Sequence, residues 1–305
     1  MGPEHWKRNE EIGLVSPLPR AKLTKFPRLI RLLHPHVARV TMQCNAEFDE
    51  VQCNGSKPRP KHIFDAVKDS LRRLQLDYIV LQCHRFDPDT PIEETMQALH
   101  DVVKAGHARY IGMSSCYAWQ YYAINNSLTP FISMQNHYQL LYREEEREMM
   151  PTLKVNNLVI SAAVKLNFSQ HFGITAIPWS PLARGALTRP LNGQGGSGRA
   201  ASDRKILRTI SGSRPNRIFA NLYLKPPANQ AIVNRVEEIA KKRGISVAQV
   251  SVAWVMSKDS VAAPIAGSNS LKNLEDLVAT VHIKLTEKEI KYLEEPYKPM
   301  SIIGH

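Results

Sequence analysis

Apolar residues recur along most of the chain in alternating helical and strand-like spacings. Ile63, Val67 and Leu71 fall on one face of a helix predicted over residues 62–76, because positions three or four apart share a helix face. A short apolar run over residues 78–82 follows this helix and has the length of a buried strand. The pairing of an amphipathic helix with a short strand predicts an α/β arrangement.

The same alternation continues toward the C-terminus. Thr90 and Glu93 have the spacing of a capping box for a helix that begins at Pro91, and Gly106 is placed to end that helix. Thr286 is similarly placed to cap the last helix. Further helices are predicted over residues 117–125, 144–154, 230–243, 247–258, 271–280 and 287–295, and strands over residues 109–113, 131–135, 173–179 and 261–265.

Repeated strand-helix steps indicate a parallel sheet covered by helices. A closed barrel and an open, doubly wound sheet both satisfy this pattern. No GxGxxG fingerprint follows a first strand in the sequence, although open sheets that bind dinucleotides usually carry one there. The α/β pattern therefore favours a (β/α)8 TIM-type barrel.

Two stretches interrupt this rhythm. Residues 1–61 are basic, rich in proline and contain one convincing strand-like run, residues 37–42. Residues 155–170 insert a second apolar segment between a helix and the strand that follows it. We therefore expect an irregular N-terminal segment, a barrel domain over residues 62–301 that is incomplete in its N-terminal strands, and an insertion within that domain.

Composition and charge narrow the function classes. The 305 residues suit one large domain, and 43% hydrophobic with 22% charged residues is typical of a soluble protein. The net charge is +12, but the lysines and arginines are scattered along the chain rather than clustered. Neither nucleic acid nor a membrane is therefore an expected partner. The first 20 residues lack a secretory pattern and predict a cytoplasmic protein. The four cysteines lack the spacing of a metal site or a disulfide scaffold.

Several strings of residues, taken in this order, resemble the aldo-keto reductases, in particular the fungal aryl-alcohol dehydrogenase and norsolorinic acid reductase branch. Each string lies at the carboxyl end of a predicted strand, where barrel enzymes build their active sites. The strings are residues 76–85 (LDYIVLQCHR), 105–115 (AGHARYIGMSS), 133–136 (SMQN) and 177–185 (IPWSPLARG). The resemblance implies reduction of an aldehyde or ketone, or oxidation of an alcohol, with a nicotinamide cofactor and a possible place in secondary metabolism.

The resemblance also suggests roles for residues in the first three strings. His84 matches the histidine that orients the substrate carbonyl and is the candidate catalytic residue. Ser114, Ser115 and Gln135 match the partners of the nicotinamide carboxamide. The alternative for the two serines is an ordinary turn at the end of a strand.

The fourth string is expected to contact the nicotinamide ring and the pyrophosphate. Trp179 stands where the family places an aromatic ring against the nicotinamide, although a tryptophan packed in the core is the alternative. Ser180, Leu182 and Gly185 belong to the loop that would pass the pyrophosphate, and glycine permits a close approach of the backbone.

Residues 263–276 (APIAGSNSLKNLED) resemble the family's site for the adenosine phosphate at a helix N-terminus. The usual arginine is replaced by Asn269, and the asparagine that follows the acidic residue by Leu277. The hydroxyl group of Ser268 and the ammonium group of Lys272 suit a 2′-phosphate. NADP is therefore favoured over NAD. The candidate residues are Gly267, Ser268, Lys272, Asn273 and Asp276.

The family's catalytic tyrosine, lysine and aspartate have no matching string in this sequence. Tyrosine is absent before Tyr78, and the lysine position of the run at residues 37–42 falls near Gln43. General acid catalysis typically contributes about 10²- to 10⁴-fold to a rate, so we expect slow carbonyl reduction. The alternatives are a nucleotide-binding relative without turnover and a gene product without a stable fold.

Overall fold

A computed structural model describes residues 13–14, 39–42, 60–83, 90–116, 119–155, 174–191, 223–268 and 270–302. The chain divides into two compact units, a five-strand unit and a C-terminal unit. The five-strand unit comprises Ala21–Asn136 and Pro151–Ala176. The C-terminal unit comprises Met1–Arg20, His137–Met150 and Ile177–His305.

The five-strand unit is built on a parallel sheet. Its strands are β2 (Arg39–Met42), β3 (Ile79–Cys83), β4 (Ala108–Met113), β5 (Phe131–Met134) and β6 (Thr175–Ala176). They lie side by side in this order, and each neighbouring pair is parallel. The strand-like run predicted over residues 37–42 is therefore confirmed as β2.

Helices alternate with these strands, as the apolar spacing predicts. They are α1 (Pro60–Leu74), α2 (Ile92–Lys104) and α3 (Trp119–Asn125). Ile63 and Val67 of α1 are buried, as are Met96 and Leu99 of α2. All five residues of β3 are buried as well, which is typical of a parallel strand with both faces covered.

The C-terminal unit contains a second, short parallel pair, β1 (Gly13–Leu14) with β7 (Ile265–Ala266). The expectation of a single strand-like run within residues 1–61 is therefore wrong. A strand of two residues is too short to show an alternation of apolar and polar positions, so the sequence pattern does not reveal β1. The strand predicted over residues 261–265 is also displaced toward the C-terminus.

Four helices of this unit follow the predicted positions closely. They are α5 (Pro227–Arg243), α6 (Val247–Met256), α7 (Leu271–Ala279) and α8 (Glu287–Glu294). Thr286 forms the predicted cap of α8, in a capping box with Glu289. Ser246 and Gln249 form an equivalent box at α6. Helix α5 begins three residues earlier than predicted, with proline in its first turn.

The cap predicted at Thr90 is wrong. The N-cap of α2 is Pro91, in an extended conformation with φ −54° and ψ 140°, and its ring offers no hydrogen-bond acceptor to the first turn. Glu93 and Glu94 lie in that turn, where their charges interact favourably with the helix dipole. The predicted stop at Gly106 is confirmed by its left-handed φ of 78° immediately after the C-cap residue.

The single helix predicted over residues 144–154 is also wrong. A 3₁₀ turn (Glu144–Glu146) is followed by a separate helix, α4 (Met149–Val155). The Glu144 carboxylate accepts hydrogen bonds from the Tyr297 hydroxyl at 2.6 Å and from the backbone N–H of Met300 at 2.8 Å. Glu144 and its neighbour Glu145 are both buried.

The insertion predicted at residues 155–170 lies outside the described residues except for Val155, the last residue of α4. No helix in the described ranges combines the length and the apolar character needed to cross a bilayer.

Gly112 of β4 leaves room for polar side chains from both neighbouring strands. A Cβ atom at this position would collide with Gln82 Oε1 and would lie 2.5 Å from Ser133 Oγ. The Ser133 hydroxyl donates a hydrogen bond of 3.2 Å to Gln82 Oε1. We predict that Gly112→Ala lowers the free energy of unfolding by about 1–3 kcal/mol, as overpacking of an interior usually does, measured by urea denaturation.

Shortening the colliding side chain provides the control. Gln82→Ala should recover part of the loss caused by Gly112→Ala, since it removes the atom that the new methyl group meets. The same Gln82→Ala change should not rescue Gly106→Ala, because a Cβ at Gly106 meets open space. Purely additive losses in both double variants would contradict the assigned collision.

Candidate functional site

The strand ends of the five-strand unit bring three predicted site residues together. Ser114 and Ser115 follow β4, and Gln135 follows β5. The Ser114 hydroxyl donates a hydrogen bond of 2.5 Å to the Gln135 carbonyl oxygen. The Gln135 N–H donates to the Met113 carbonyl oxygen at 2.8 Å. These bonds continue the pairing of the two strands and place both candidate side chains at one edge of the sheet.

Ser115 combines an unusual backbone conformation with a buried hydroxyl group. Its φ is 49°, in the left-handed region, which is uncommon for a residue with a Cβ atom. Its side chain is 4% exposed, and its Oγ has no hydrogen-bond partner in the described part of the chain. Leaving a buried polar group unpaired costs about 1–3 kcal/mol. A primary amide at this strand end would satisfy the hydroxyl, so Ser115 fits the carboxamide of a nicotinamide.

A second polar group lies within the same sheet and was not predicted from the sequence. Gln82 is fully buried on β3, and its Nε2 has no hydrogen-bond partner among the described residues. Its Oε1 is the acceptor for Ser133 described above. The predicted catalytic residue, His84, comes two positions after Gln82, just past the end of β3, and lies outside the described residues.

Trp179 of the C-terminal unit lies in a short ladder with two other backbone segments. It forms isolated parallel bridges with His137 and with Ile265 of β7. The Ile265 N–H donates to the Pro178 carbonyl oxygen at 2.7 Å. The segment after Trp179 and the segment after β7 therefore start side by side, which groups the predicted pyrophosphate loop with the predicted adenosine-phosphate site.

The predicted pyrophosphate loop has an unusual concentration of left-handed residues. Values of φ are 57° at Ser180, 48° at Ala183, 53° at Arg184 and 104° at Gly185. Such residues in a loop are unfavourable in isolation and cluster at ligand sites. The Leu182 carbonyl oxygen holds the loop by accepting from the N–H of Gly185 at 2.9 Å. Successive backbone N–H groups in this kind of turn suit an anion.

The Leu182 side chain serves the fold as well. It packs against a core cluster formed by Val252, Ala266 and Leu277. These residues lie on α6, β7 and α7. The contact anchors the left-handed loop to the strand and helix that carry the predicted adenosine-phosphate site.

The residues of that site lie between β7 and the first turns of α7. The Ser268 hydroxyl oxygen accepts from the Ser270 N–H at 3.1 Å, so its proton remains available to a further acceptor. Lys272 and Asn273 are exposed on α7. Gly267 follows β7 directly and is partly exposed. A helix start with a hydroxyl and an ammonium group beside it suits a phosphate.

Asp276 accepts hydrogen bonds that connect α7 to the start of α6. Its Oδ2 accepts a hydrogen bond of 2.6 Å from Ser246 Oγ, the N-cap of α6. Its backbone carbonyl oxygen accepts from Gln249 Nε2 at 2.9 Å. Asp276 therefore joins α7 to the capping box of α6, in addition to any role toward a ligand. Among the described residues, no group of three or more His, Cys, Asp or Glu side chains is arranged to hold a metal ion.

Comparison with known protein families gives a match over most of the chain. The sequence model of the "Aldo/keto reductase family" matches residues 35–298. A Schizosaccharomyces pombe protein that carries an aryl-alcohol dehydrogenase name is 41% identical over 83% of this chain and 64% of its own length. Versiconal hemiacetal acetate reductase of Aspergillus parasiticus is 42% identical over 79% of this chain and 64% of its own length.

An aldo-keto reductase of Fusarium vanettenii is 41% identical over 80% of this chain and 59% of its own length. The chain thus spans less than two thirds of the length of these three relatives. A thermostable aldo-keto reductase crystallised with the inhibitor epalrestat superimposes with a TM-score of 0.54 and 24% identity, over 78% of this chain and 67% of that one. This likeness confirms the predicted barrel fold class.

The bond between Asp276 and Ser246 leads to a test of the site's support. We predict that Ser246→Ala and Asp276→Ala are coupled, with an interaction energy of about 0.5–3 kcal/mol in a double-mutant cycle, as for residues in direct contact. The free energy of unfolding of the four proteins is the measurement. Glu275→Ala, at an exposed neighbouring position, is the control and should be additive with Ser246→Ala. Additivity of the Ser246 and Asp276 variants would show that the bond does not contribute.

Proposed function

Because the chain belongs to the aldo/keto reductase family, we propose that it is a nicotinamide-dependent oxidoreductase that reduces an aldehyde or ketone to an alcohol. The single observation that supports this most strongly is the buried Ser115 hydroxyl without a partner among the described residues, next to the bonded pair Ser114 and Gln135. An amide bound at this edge of the parallel sheet would satisfy the Ser115 hydroxyl, which supports the proposal.

The proposal assigns the nicotinamide end to the strand ends. Ser114, Ser115 and Gln135 would hold the carboxamide through hydroxyl and amide groups, which fixes the orientation of the ring. When bound, the cofactor would supply a hydride for the carbonyl carbon of the substrate, and solvent water would supply the proton that converts the resulting alkoxide into the alcohol. His84, which follows Cys83 of β3 in the sequence, would orient the carbonyl oxygen.

The phosphate end of the cofactor is assigned to the loop after Trp179 and to the start of α7. Ser180 and Leu182 would offer backbone N–H groups to the pyrophosphate, and Gly185, whose N–H is bonded to Leu182, would permit a close approach of the backbone. The start of α7 would receive the adenosine phosphate through Ser268 and Lys272, while Gly267 permits a close approach and Asn273 and Asp276 would contact the adenosine. A hydroxyl and an ammonium group at this helix start favour the extra 2′-phosphate, so NADP is the proposed cofactor.

Aromatic aldehydes and the corresponding alcohols are the proposed substrates, because relatives carry names of aryl-alcohol dehydrogenases and of a reductase acting on versiconal hemiacetal acetate. We place the enzyme in the cytoplasm, as the sequence predicts, with no nucleic acid or membrane as partner. The slow turnover expected from the unmatched tyrosine, lysine and aspartate stays a prediction, since residues 15–38 and 43–59 lie outside the described residues.

The preference for NADP can be tested at Lys272. We predict that the protein binds NADPH at least about 10-fold more tightly than NADH, a difference of about 1.4 kcal/mol, in calorimetric titrations. Lys272→Ala should weaken NADPH binding and leave NADH binding nearly unchanged, because only NADPH carries the 2′-phosphate. Lys288→Ala, at an exposed position of α8, is the control for the loss of one charge. Tighter binding of NADH by the wild type would refute the choice of cofactor.

The role of His84 can be tested by turnover. We predict that His84→Gln lowers kcat for an aromatic aldehyde by about 10²-fold, within the range of positioned proton-transfer and polar groups, while the Kd for NADPH changes little. His62→Gln, a partly exposed residue of α1, should have wild-type turnover. NADPH binding with no turnover above background in the wild type would instead identify a nucleotide-binding protein without activity.

A further inference from the structure

Three aromatic side chains of the C-terminal unit surround the imidazole ring of His137. The imidazole stacks on the Trp179 indole, with ring centroids 4.1 Å apart and an angle of 10° between the planes. It also stacks on the Tyr142 ring, at 4.2 Å and 16°. Tyr223 meets the imidazole edge-on, at 5.8 Å and 67°. Two nearly parallel rings at these distances place the imidazole between them.

The cluster reaches the surface at one place. His137, Tyr142 and Tyr223 are at most 1% exposed, whereas Trp179 is partly exposed. One face of the indole lies against the imidazole, and Trp179 as a whole is partly exposed. A rigid, partly exposed indole suits a planar aromatic ligand, which prefers an offset stack.

The imidazole is fixed by its backbone as well as by its ring contacts. His137 and Trp179 form a parallel backbone bridge, and Trp179 forms a second bridge with Ile265. The Tyr223 hydroxyl lies 2.9 Å from His137 Nε2. Burial raises the pKa of the Tyr223 phenol to about 12, against the lowering effect of the Arg184 charge. The phenol is therefore protonated at neutral pH and can hydrogen-bond to Nε2 in either tautomer of the imidazole.

We propose that His137 is a positioning residue that fixes the plane of the Trp179 indole, so that the indole face turned away from the imidazole receives the planar nicotinamide ring of the cofactor. Tyr223 supports this role by holding the rotation of the imidazole. The inference rests on the proposed function, since it assumes a nicotinamide cofactor. It adds a residue that contacts Trp179 and not the ligand.

A purely structural role for His137 would produce a different pattern of ligand affinities. Loss of general packing in the C-terminal unit would weaken the binding of every ligand of that unit. Loss of the indole orientation would weaken only ligands that carry the nicotinamide ring. The compound 2′,5′-ADP contains the adenosine half of NADPH and lacks the nicotinamide, so it separates the two cases.

The experiment is a set of calorimetric titrations of the intact chain with NADPH and with 2′,5′-ADP. His137→Ala should raise the Kd for NADPH about 10-fold, which corresponds to the loss of one good aromatic stack. It should leave the Kd for 2′,5′-ADP within about 2-fold of the wild type. Tyr223→Phe keeps the ring and removes the hydroxyl, and should change the Kd for NADPH in the same direction by a smaller factor. Tyr292→Phe, which removes an exposed hydroxyl bonded to Glu238 at 2.6 Å, is the matched control without effect.

A double variant shows whether His137 acts through Trp179. In a Trp179→Leu background, His137→Ala should cause no further loss of NADPH affinity. A full additional loss in that background would overturn the proposal, as would equal weakening of both ligands or unchanged binding of both. If His137→Ala does not fold, as judged by near-ultraviolet circular dichroism, the result for Tyr223→Phe decides.

The two failures are distinguishable in the wild type. A wild-type chain that binds neither NADPH nor 2′,5′-ADP overturns the proposed function, and with it this inference. A wild-type chain that binds both ligands, with a Tyr223→Phe variant indistinguishable from it in both titrations, overturns the inference about His137 alone.

Discussion

Parallel pairing of the strands is the constraint on which the candidate site depends. Each strand ladder in the described part of the chain is parallel, so the carboxyl ends of neighbouring strands meet at the same edge of their sheet. The residues that follow β4 and β5 are therefore hydrogen-bonded to one another, as the bond from Ser114 to Gln135 shows. The same rule joins the segment after Trp179 to the segment after β7. Candidate site residues that are far apart in the sequence therefore lie close together in the structure, because they follow neighbouring parallel strands.

Local rules predicted most of the helices and strands, and they failed where distant residues intervene. Thr286 caps α8 as predicted, because its box with Glu289 involves neighbours in sequence. The helix predicted over residues 144–154 is instead a 3₁₀ turn and a separate helix, and Glu144 of that turn is bonded to Tyr297, which is 153 residues away. Periodicity reports the local pattern of apolar positions and carries no information about such a partner. The strand Gly13–Leu14 is defined only by its pairing with β7.

The candidate site likewise combines features that the sequence predicted with features that only the structure revealed. The positions of Ser114, Ser115 and Gln135 at strand ends followed from the resemblance and the strand pattern. The left-handed backbone at Ser115, and the lack of a hydrogen-bond partner for its hydroxyl among the described residues, became visible only in the structure. The cluster around His137 was not predicted at all, because Tyr223 lies 86 residues further along the chain. A histidine one position before Tyr138 in an apolar stretch gives no sign in the sequence that it stacks on Trp179. The predicted contacts of Asp276 likewise gave no indication of its bond with Ser246.

Hydride transfer from a nicotinamide cofactor to a carbonyl carbon is the activity proposed for this chain. The most direct measurement uses NADPH that carries deuterium at both hydrogens of the nicotinamide C4, with an aromatic aldehyde as substrate, and analyses the product by mass spectrometry. The expected product is the alcohol with one deuterium on its carbinol carbon, formed in proportion to the amount of protein and lost when the protein is heat-denatured. Alcohol without deuterium, or no alcohol from a protein that is folded and binds NADPH, would contradict the claim.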